Sequence, residues 1–180
     1  ATGNLANMQR TRTCCGPDFT ILSGDDGMTF DMMTDPEIAA GGVISVISNV
    51  APAAVAELVN LLAAGQTDQA EALKTDLAPL FGLVTVSTTE KTPFGAVTAR
   101  FRNPSAVKSL MAVLGMPGGG CRRPMGKMTA HAIEVVLAAA RTVQAKNPDI
   151  FKPCAECFDI DIDARLNDPA NWQDLVYSDY

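Results

Sequence analysis

The chain has 180 residues, 47% of them hydrophobic, with a formal net charge of −6 and a pI near 4.7. That length and apolar content suit a packed domain with a sizeable core and exclude a disordered chain. The acidic balance argues against nucleic acid or an anionic membrane as the main partner, and no run of about 20 uncharged apolar residues is present to span a bilayer.

The chain opens on Ala1-Thr2-Gly3-Asn4, without an initiator Met, a basic n-region or an apolar h-region. It reads as neither a native start nor a signal peptide, so the numbering is expected to begin inside a longer protein. Thr20-Ile21-Leu22, closed by Ser23-Gly24-Asp25-Asp26, predicts a buried strand ending in a loop. Met28 to Met33 predicts one or two helical turns interrupted by Pro36. Val43 to Ile47, between Gly41-Gly42 and Ser48-Asn49, predicts a second strand. Both runs are apolar without alternation, which suggests a parallel sheet covered on both faces.

From Pro52 the pattern is helical, with Val55, Leu58, Val59 and Leu62 on one face and Gly65 as the stop. Thr67 fits the N-cap of a second helix that places Ala70, Leu73, Leu77 and Leu80 together. Residues 84 to 102 leave strand and loop both open. Asn103-Pro104 then opens a helix with Val107, Leu110, Met111 and Leu114, which ends at Gly115. Pro117 to Pro124, with three consecutive glycines, predicts a turn or linker. Thr129 is expected to cap a long helix with Ile133, Val136, Leu137 and Ala140 facing inward. After Lys146 the chain is an acidic tail with Trp172, Tyr177 and Tyr180, either folded back or contacting a partner. The expected organisation is therefore residues 1–50, 51–145 and 146–180. Two parallel strands cannot close a barrel, so the pattern suggests the end of a β/α protein rather than the whole of one.

Several segments together carry a family resemblance. Ala1-Thr2-Gly3-Asn4 resembles the end of the Lys-Glu-Ala-Thr-Gly-Asn motif of dihydrodipicolinate synthases, a pyruvate-dependent class I aldolase family. Phe19 to Asp26 and Gly42 to Val50 resemble that family's sixth and seventh barrel strands with their loops. Asn103-Pro104-Ser105-Ala106-Val107-Lys108 resembles its Asn-Pro-x-x-x-Lys segment, and Leu114-Gly115 and Arg122-Arg123-Pro124-Met125 its closing elements. The similarity covers residues 1 to 145. It departs from the family in a few extra residues near Asp35-Pro36-Glu37, in an insertion around Val84 to Arg102, and in the tail.

The resemblance implies an α/β fold, the last two strands of a (β/α)8 TIM barrel plus appended helices. It implies condensation of pyruvate with aspartate semialdehyde in lysine biosynthesis, through a lysine Schiff base that acts as an electron sink. That lysine falls just upstream of Ala1, as do the family's tyrosine relay and its carboxylate-binding arginine, so no catalytic side chain lies in residues 1–180. Two positions match the family's pocket. Alone, Gly24 reads as a turn glycine and Ile44 as a core residue. By resemblance, Gly24 lets backbone approach bound pyruvate, while Ile44 contributes a carbonyl near the imine and an apolar wall. A homotetramer, no cofactor, and a bacterial cytoplasm or plastid stroma follow from the same resemblance.

Other motifs are weaker. Asp25-Asp26 reads as a helix N-cap before an acid/base pair. Cys154-x-x-Cys157 is half a zinc site without a second pair, and the five cysteines suit reduced thiols. Asp159-Ile-Asp161-Ile-Asp163 lacks the glycine and closing glutamate of a calcium loop. Gly118-Gly119-Gly120 with Arg122-Arg123 could cradle a phosphate, yet lacks the Walker lysine and hydroxyl. His131 reads as structural and without partners, and Lys108 is not read as the Schiff-base lysine. Two rival functions stay open: a non-catalytic structural subunit derived from such an aldolase, or a sibling aldolase acting on a sugar acid or sialic acid.

Overall fold

Helix α1 (Leu5–Cys15) starts where the Asn4 side chain accepts the Asn7 backbone N–H at 3.1 Å, filling one of the first turn's unpaired donors. The computed structural model describes residues 2–118 and 120–178, so Ala1, Gly119 and Tyr180 of the motifs above lie outside the described residues. The chain divides into two compact units, Ala1–Phe81 and Gly82–Tyr180.

In the first unit, α1 is followed by α2 (Thr29–Thr34), α3 (Pro52–Ala63) and α4 (Thr67–Phe81). The two predicted strands do run parallel, but as a single bridge between Ser23 and Val43 rather than as a ladder. Gly41 N donates to Ile21 O at 2.9 Å, Ser23 N to Gly42 O at 2.8 Å and Ile44 N to Ser23 O at 2.7 Å. Beyond Val43 the expected strand is lost, and Ile47–Asn49 coils into a 3-10 turn. A strand with one partner lacks half of its ladder bonds, so the pairing is short.

Arg12 holds the entry to both segments. Its Nη1 donates to Gly16 O, Pro17 O and Phe19 O at 2.9, 2.9 and 2.6 Å, just before the first segment. Its Nε reaches Ile38 O at 3.0 Å and its Nη2 reaches Ala39 O at 3.2 Å, just before the second. Only a guanidinium offers donors in this fork. Beneath the pairing, Ile21, Met32, Ile38 and Ala40 are buried, with Leu5, Met8, Met28 and Met33 packed against them.

The helical periods hold. In α3 the buried side chains are Ala54, Val55, Leu58 and Leu61, so Leu61 takes the place expected of Leu62. Gly65 stops the helix at φ +72°, a conformation that favours glycine. Thr67 does not cap α4: it is the first helical residue, and Ala70 N bonds to Gln66 O at 3.0 Å. Ala70, Leu77 and Leu80 are buried.

The second unit begins with the stretch left open in sequence, which is an antiparallel hairpin of β1 (Thr85–Thr92) and β2 (Gly95–Arg102). Val86, Thr88 and Glu90 alternate inward on β1, while β2 is mostly exposed. The buried Glu90 carboxylate accepts from Thr88 Oγ1 at 2.6 Å and from Thr129 Oγ1 at 2.7 Å, with His131 Nδ1 at 4.0 Å. His131 thus stands beside a carboxylate, contrary to its sequence reading. Thr129 also caps α6 (Ala130–Lys146) by accepting Ala132 N at 3.1 Å. Ile133, Val136, Leu137 and Ala140 of α6 are buried as expected, alongside Val107 and Leu110 of α5 (Ser105–Val113).

The tail folds back into this unit through α7 (Lys152–Phe158) and α8 (Ile162–Asn167). Phe151 and Leu166 are fully buried. Arg141 of α6 donates from Nε and Nη2 to Leu166 O at 3.0 and 2.7 Å. Arg165 donates to Val113 O and Ala112 O at 2.6 and 3.0 Å, placing a cation on the C-terminal carbonyls of α5. Met128 pairs with Val176 through Met128 N to Leu175 O and Tyr177 N to Met128 O, both 3.1 Å.

Three outcomes follow. Arg12→Met should destabilise the protein by about 1.5–3 kcal/mol in urea unfolding, because it strands carbonyls that a charged donor had satisfied, and Arg12→Lys should recover little of it. Phe151→Ala should cost about 3–5 kcal/mol as a cavity opens under the tail. Burial, and secondarily the neighbouring Cys157 thiol, push the Cys154 thiol pKa up. Less thiolate then forms at a given pH, so near pH 8 iodoacetamide should label Cys157 well before Cys154, read by mass spectrometry.

Candidate active site

The functional residues expected from sequence stand at the exit of the Ser23–Val43 pairing. Gly24 directly follows Ser23, and Ile44 follows Val43 with its N–H on Ser23 O. The N-terminal motif is brought to the same place. Thr2, Gly3, Gly24, Asp25 and Met28 line one small cavity of about 20 Å³. A side chain begun at Gly3 would put its Cβ 3.9 Å from Asp25 Oδ2. Two segments far apart in sequence, Thr2–Gly3 and Gly24–Met28, therefore converge. Ile44 is 70% exposed, so it is not the core residue that the sequence alone suggests.

Asp26 locks this exit. It is 4% exposed, and its carboxylate accepts from Ser45 Oγ and from Val46 N, the latter at 3.0 Å. Ser45 passes the link on: its Oγ accepts Ser48 N at 2.9 Å, and its carbonyl accepts Ser48 Oγ at 2.8 Å. Ser23 Oγ donates to Asp25 O at 2.9 Å and accepts Thr29 Oγ1 at 3.2 Å. A buried carboxylate is tolerated only when hydrogen-bonded, and here two donors from the neighbouring segment meet that need. The expected N-cap role fails for both aspartates. Asp25 occupies a cap position without a side-chain cap bond, and Asp26 bonds across to the next segment. The one signal in sequence is the hydroxyl pair Ser45 and Ser48 just after Ile44.

A wider cleft of about 420 Å³ between Gly41–Ser45 and α3 is lined by Leu22, Val43, Pro52, Val55 and other residues, none of them titratable. Among the described residues no group of His, Cys, Asp and Glu is placed to hold a metal ion. Asp161 caps α8 by accepting Ala164 N at 2.9 Å, so that acidic run serves the helix. No helix among the described residues is long and apolar enough to cross a membrane.

Comparison with known proteins gives the family and the fold. The model of the dihydrodipicolinate synthetase family matches residues 1–143. The 4-hydroxy-tetrahydrodipicolinate synthase of Syntrophus aciditrophicus is 35% identical over 134 residues, covering 74% of this chain and 40% of that protein. Its counterpart from Idiomarina loihiensis is 34% identical over 144 residues, covering 78% and 43%. Among solved structures, the 4-hydroxy-tetrahydrodipicolinate synthase of Methylacidiphilum fumariolicum superposes with a TM-score of 0.69 at 26% identity, over 83% of this chain and 44% of that one. Dihydrodipicolinate synthase from Aquifex aeolicus does so at 0.65 and 29%, over 84% and 45%. The chain thus spans about two-fifths of the length of the curated relatives it matches. By these matches the chain belongs to the dihydrodipicolinate synthetase family of aldolases, and its α/β fold is the C-terminal part of that family's TIM barrel with the appended helices.

Proposed function

We propose that this chain is part of a 4-hydroxy-tetrahydrodipicolinate synthase, which condenses pyruvate with aspartate semialdehyde through a lysine Schiff base. The observation that carries the reading is the convergence of Thr2–Gly3 and Gly24–Asp25 at one end of the parallel pairing, with Ile44 bonded to Ser23 O beside Gly24. In a β/α barrel the chemistry sits at the C-terminal ends of the strands, and Gly24 and Ile44 stand at such ends.

In this reading the lysine belongs to the N-terminal remainder of the same protein, on the segment that continues into Thr2–Gly3. Its amine adds to the pyruvate carbonyl and water leaves, giving an imine. Loss of a methyl proton then gives an enamine that attacks the aldehyde carbon. Gly24 supports that step by omission, since a side chain there would occupy the approach to the keto acid. Ile44 supplies a backbone carbonyl and an apolar wall that keeps water from the imine. Asp26 touches neither substrate. It is a positioning residue, holding Ser45 and Val46 so that Ile44 stays beside Ser23. The intact protein is proposed to assemble as a homotetramer in a bacterial cytoplasm or plastid stroma, without metal or organic cofactor. Residues 1–50 are read as the last strands and loops of the barrel, 51–145 as its helical C-terminal region with an insertion near 84–102, and 146–180 as an acidic tail to which no role is assigned.

Borohydride reduction of the intact protein with pyruvate should leave a covalent adduct on one lysine, read by intact mass. Absence of an adduct would favour the non-catalytic subunit. Turnover with a sugar acid and none with aspartate semialdehyde would favour the sibling aldolase. Asp26→Ala should slow adduct formation by roughly tenfold to a hundredfold, the scale on which small misplacements cost rate. Asp26→Asn retains an acceptor for Val46 N and should recover most of it. Equal rates for Asp26→Ala and the parent would remove the positioning role.

A further inference from the structure

We infer that the second unit carries an organic-phosphate site in the cleft between α5, the glycine-bearing loop after it and the end of the tail. The inference is independent of the aldolase reading, because every residue it uses lies between Lys108 and Tyr177.

The cleft has a volume of about 890 Å³. Pockets for small organic ligands run from about 300 to 1,000 Å³, so it holds a phosphoryl group with a body attached. Three cations line it: Lys108 from α5, and Arg123 and Lys127 from the loop before α6. One carboxylate, Asp174, faces them. None of the three cations forms an ion pair with a described carboxylate.

The sequence leaves these cations short of partners. Residues 91–133 contain seven of the fourteen Lys and Arg residues and no Asp or Glu. Residues 147–180 hold eight acidic against two basic residues, which equals the chain's whole net charge of −6. The cationic cleft is therefore a local inversion in an acidic protein. Like charges gathered in a concave wall repel one another and focus positive potential into the cleft, and a multiply charged anion relieves both effects.

The chemistry favours phosphate with an organic body. Arg123 offers a planar fork that matches two phosphate oxygens, and the lysines add point charges. Lys108 is held in place by donating to Gly120 O at 3.0 Å. Gly120 lines the wall with open space where a side chain would begin, which leaves room for the anion to approach. Met116, Met125 and Leu175 provide an apolar surface for the rest of the ligand. The Tyr177 hydroxyl lies over Gly126 so closely that a Cβ there would overlap it, and Tyr177 lines the same cleft. The glycine and arginine motif thus lacks a Walker lysine in sequence, yet the fold brings Lys108 and Lys127 to it from either side.

The test is isothermal titration of the intact protein, at low salt, with glucose 6-phosphate, inorganic phosphate and glucose. Glucose 6-phosphate should bind saturably, more weakly as sodium chloride is raised, and glucose should not bind. Inorganic phosphate binding as tightly as glucose 6-phosphate would still support the anion site and assign no role to the apolar wall. The double variant Arg123→Gln/Lys127→Gln should bind at least about tenfold more weakly, with pyruvate trapping unchanged. Both side chains are exposed, and the single variant Lys127→Gln serves if the double fails to fold. No saturable heat with either phosphate up to about 10 mM, or unchanged affinity in the variants, would overturn the inference.

Discussion

One parallel pairing, Ser23 against Val43, orders the first unit, and a charged side chain holds it at each end. Arg12 gathers the carbonyls that lead into both segments, and Asp26 joins the loop leaving the first to the backbone leaving the second. A lone bridge offers few ladder hydrogen bonds, so its geometry depends on these clamps. Charged hydrogen bonds are stronger than neutral ones and tolerate burial only when fully satisfied. The result is an exit where Gly24 follows Ser23 and Ile44 bonds to Ser23 O, on which the proposed pocket rests.

The second unit meets a different constraint. A two-stranded hairpin is marginal alone and needs a partner for its apolar face. Here β1 turns Val86, Thr88 and Glu90 inward, and the Glu90 carboxylate is satisfied by hydroxyls from β1 itself and from the cap of α6. One residue, Thr129, thereby starts the long helix and ties the hairpin to it. The tail closes the same unit by backbone recognition. Arg141 and Arg165 reach carbonyls across the tail contact, and the described acidic residues of the tail stay at the surface while Phe151 and Leu166 supply the buried area. Charge separation along the chain follows, with acidic residues on the tail and unpaired cations gathered in the cleft.

Helices between Pro52 and Lys146 were legible because their signal is local, whereas α1, α7 and α8 were not read from sequence. Val55 and Leu58, Leu77 and Leu80, and Ile133 and Val136 repeat at the helical period, and the stops at Gly65 and Gly115 need backbone that glycine adopts freely. The matched segments were legible as well, since residue order carries family likeness without any fold. The hairpin of residues 85–102 was not, because clear alternation exists only on β1, and β2 is mostly exposed. Arg12 and Asp26 were missed or misread for one reason. The carbonyls of Ile38 and Ala39 that Arg12 reaches, and both partners of Asp26, lie about 20 residues or more along the chain, and no spacing rule reaches so far.

The sequence by itself therefore determined the helices between Pro52 and Lys146, the cap at Thr129, and the family. Only the tertiary structure decided that Thr2–Gly3 lies against Gly24–Asp25, that Asp26 is a latch rather than a cap, that the acidic tail is packed into the second unit, and that Lys108, Arg123 and Lys127 share one cleft. Helix periods and motifs are properties of neighbours along the chain. Clefts and latches arise where distant backbone and side chains meet, and those meetings depend on which polar groups folding leaves to be satisfied.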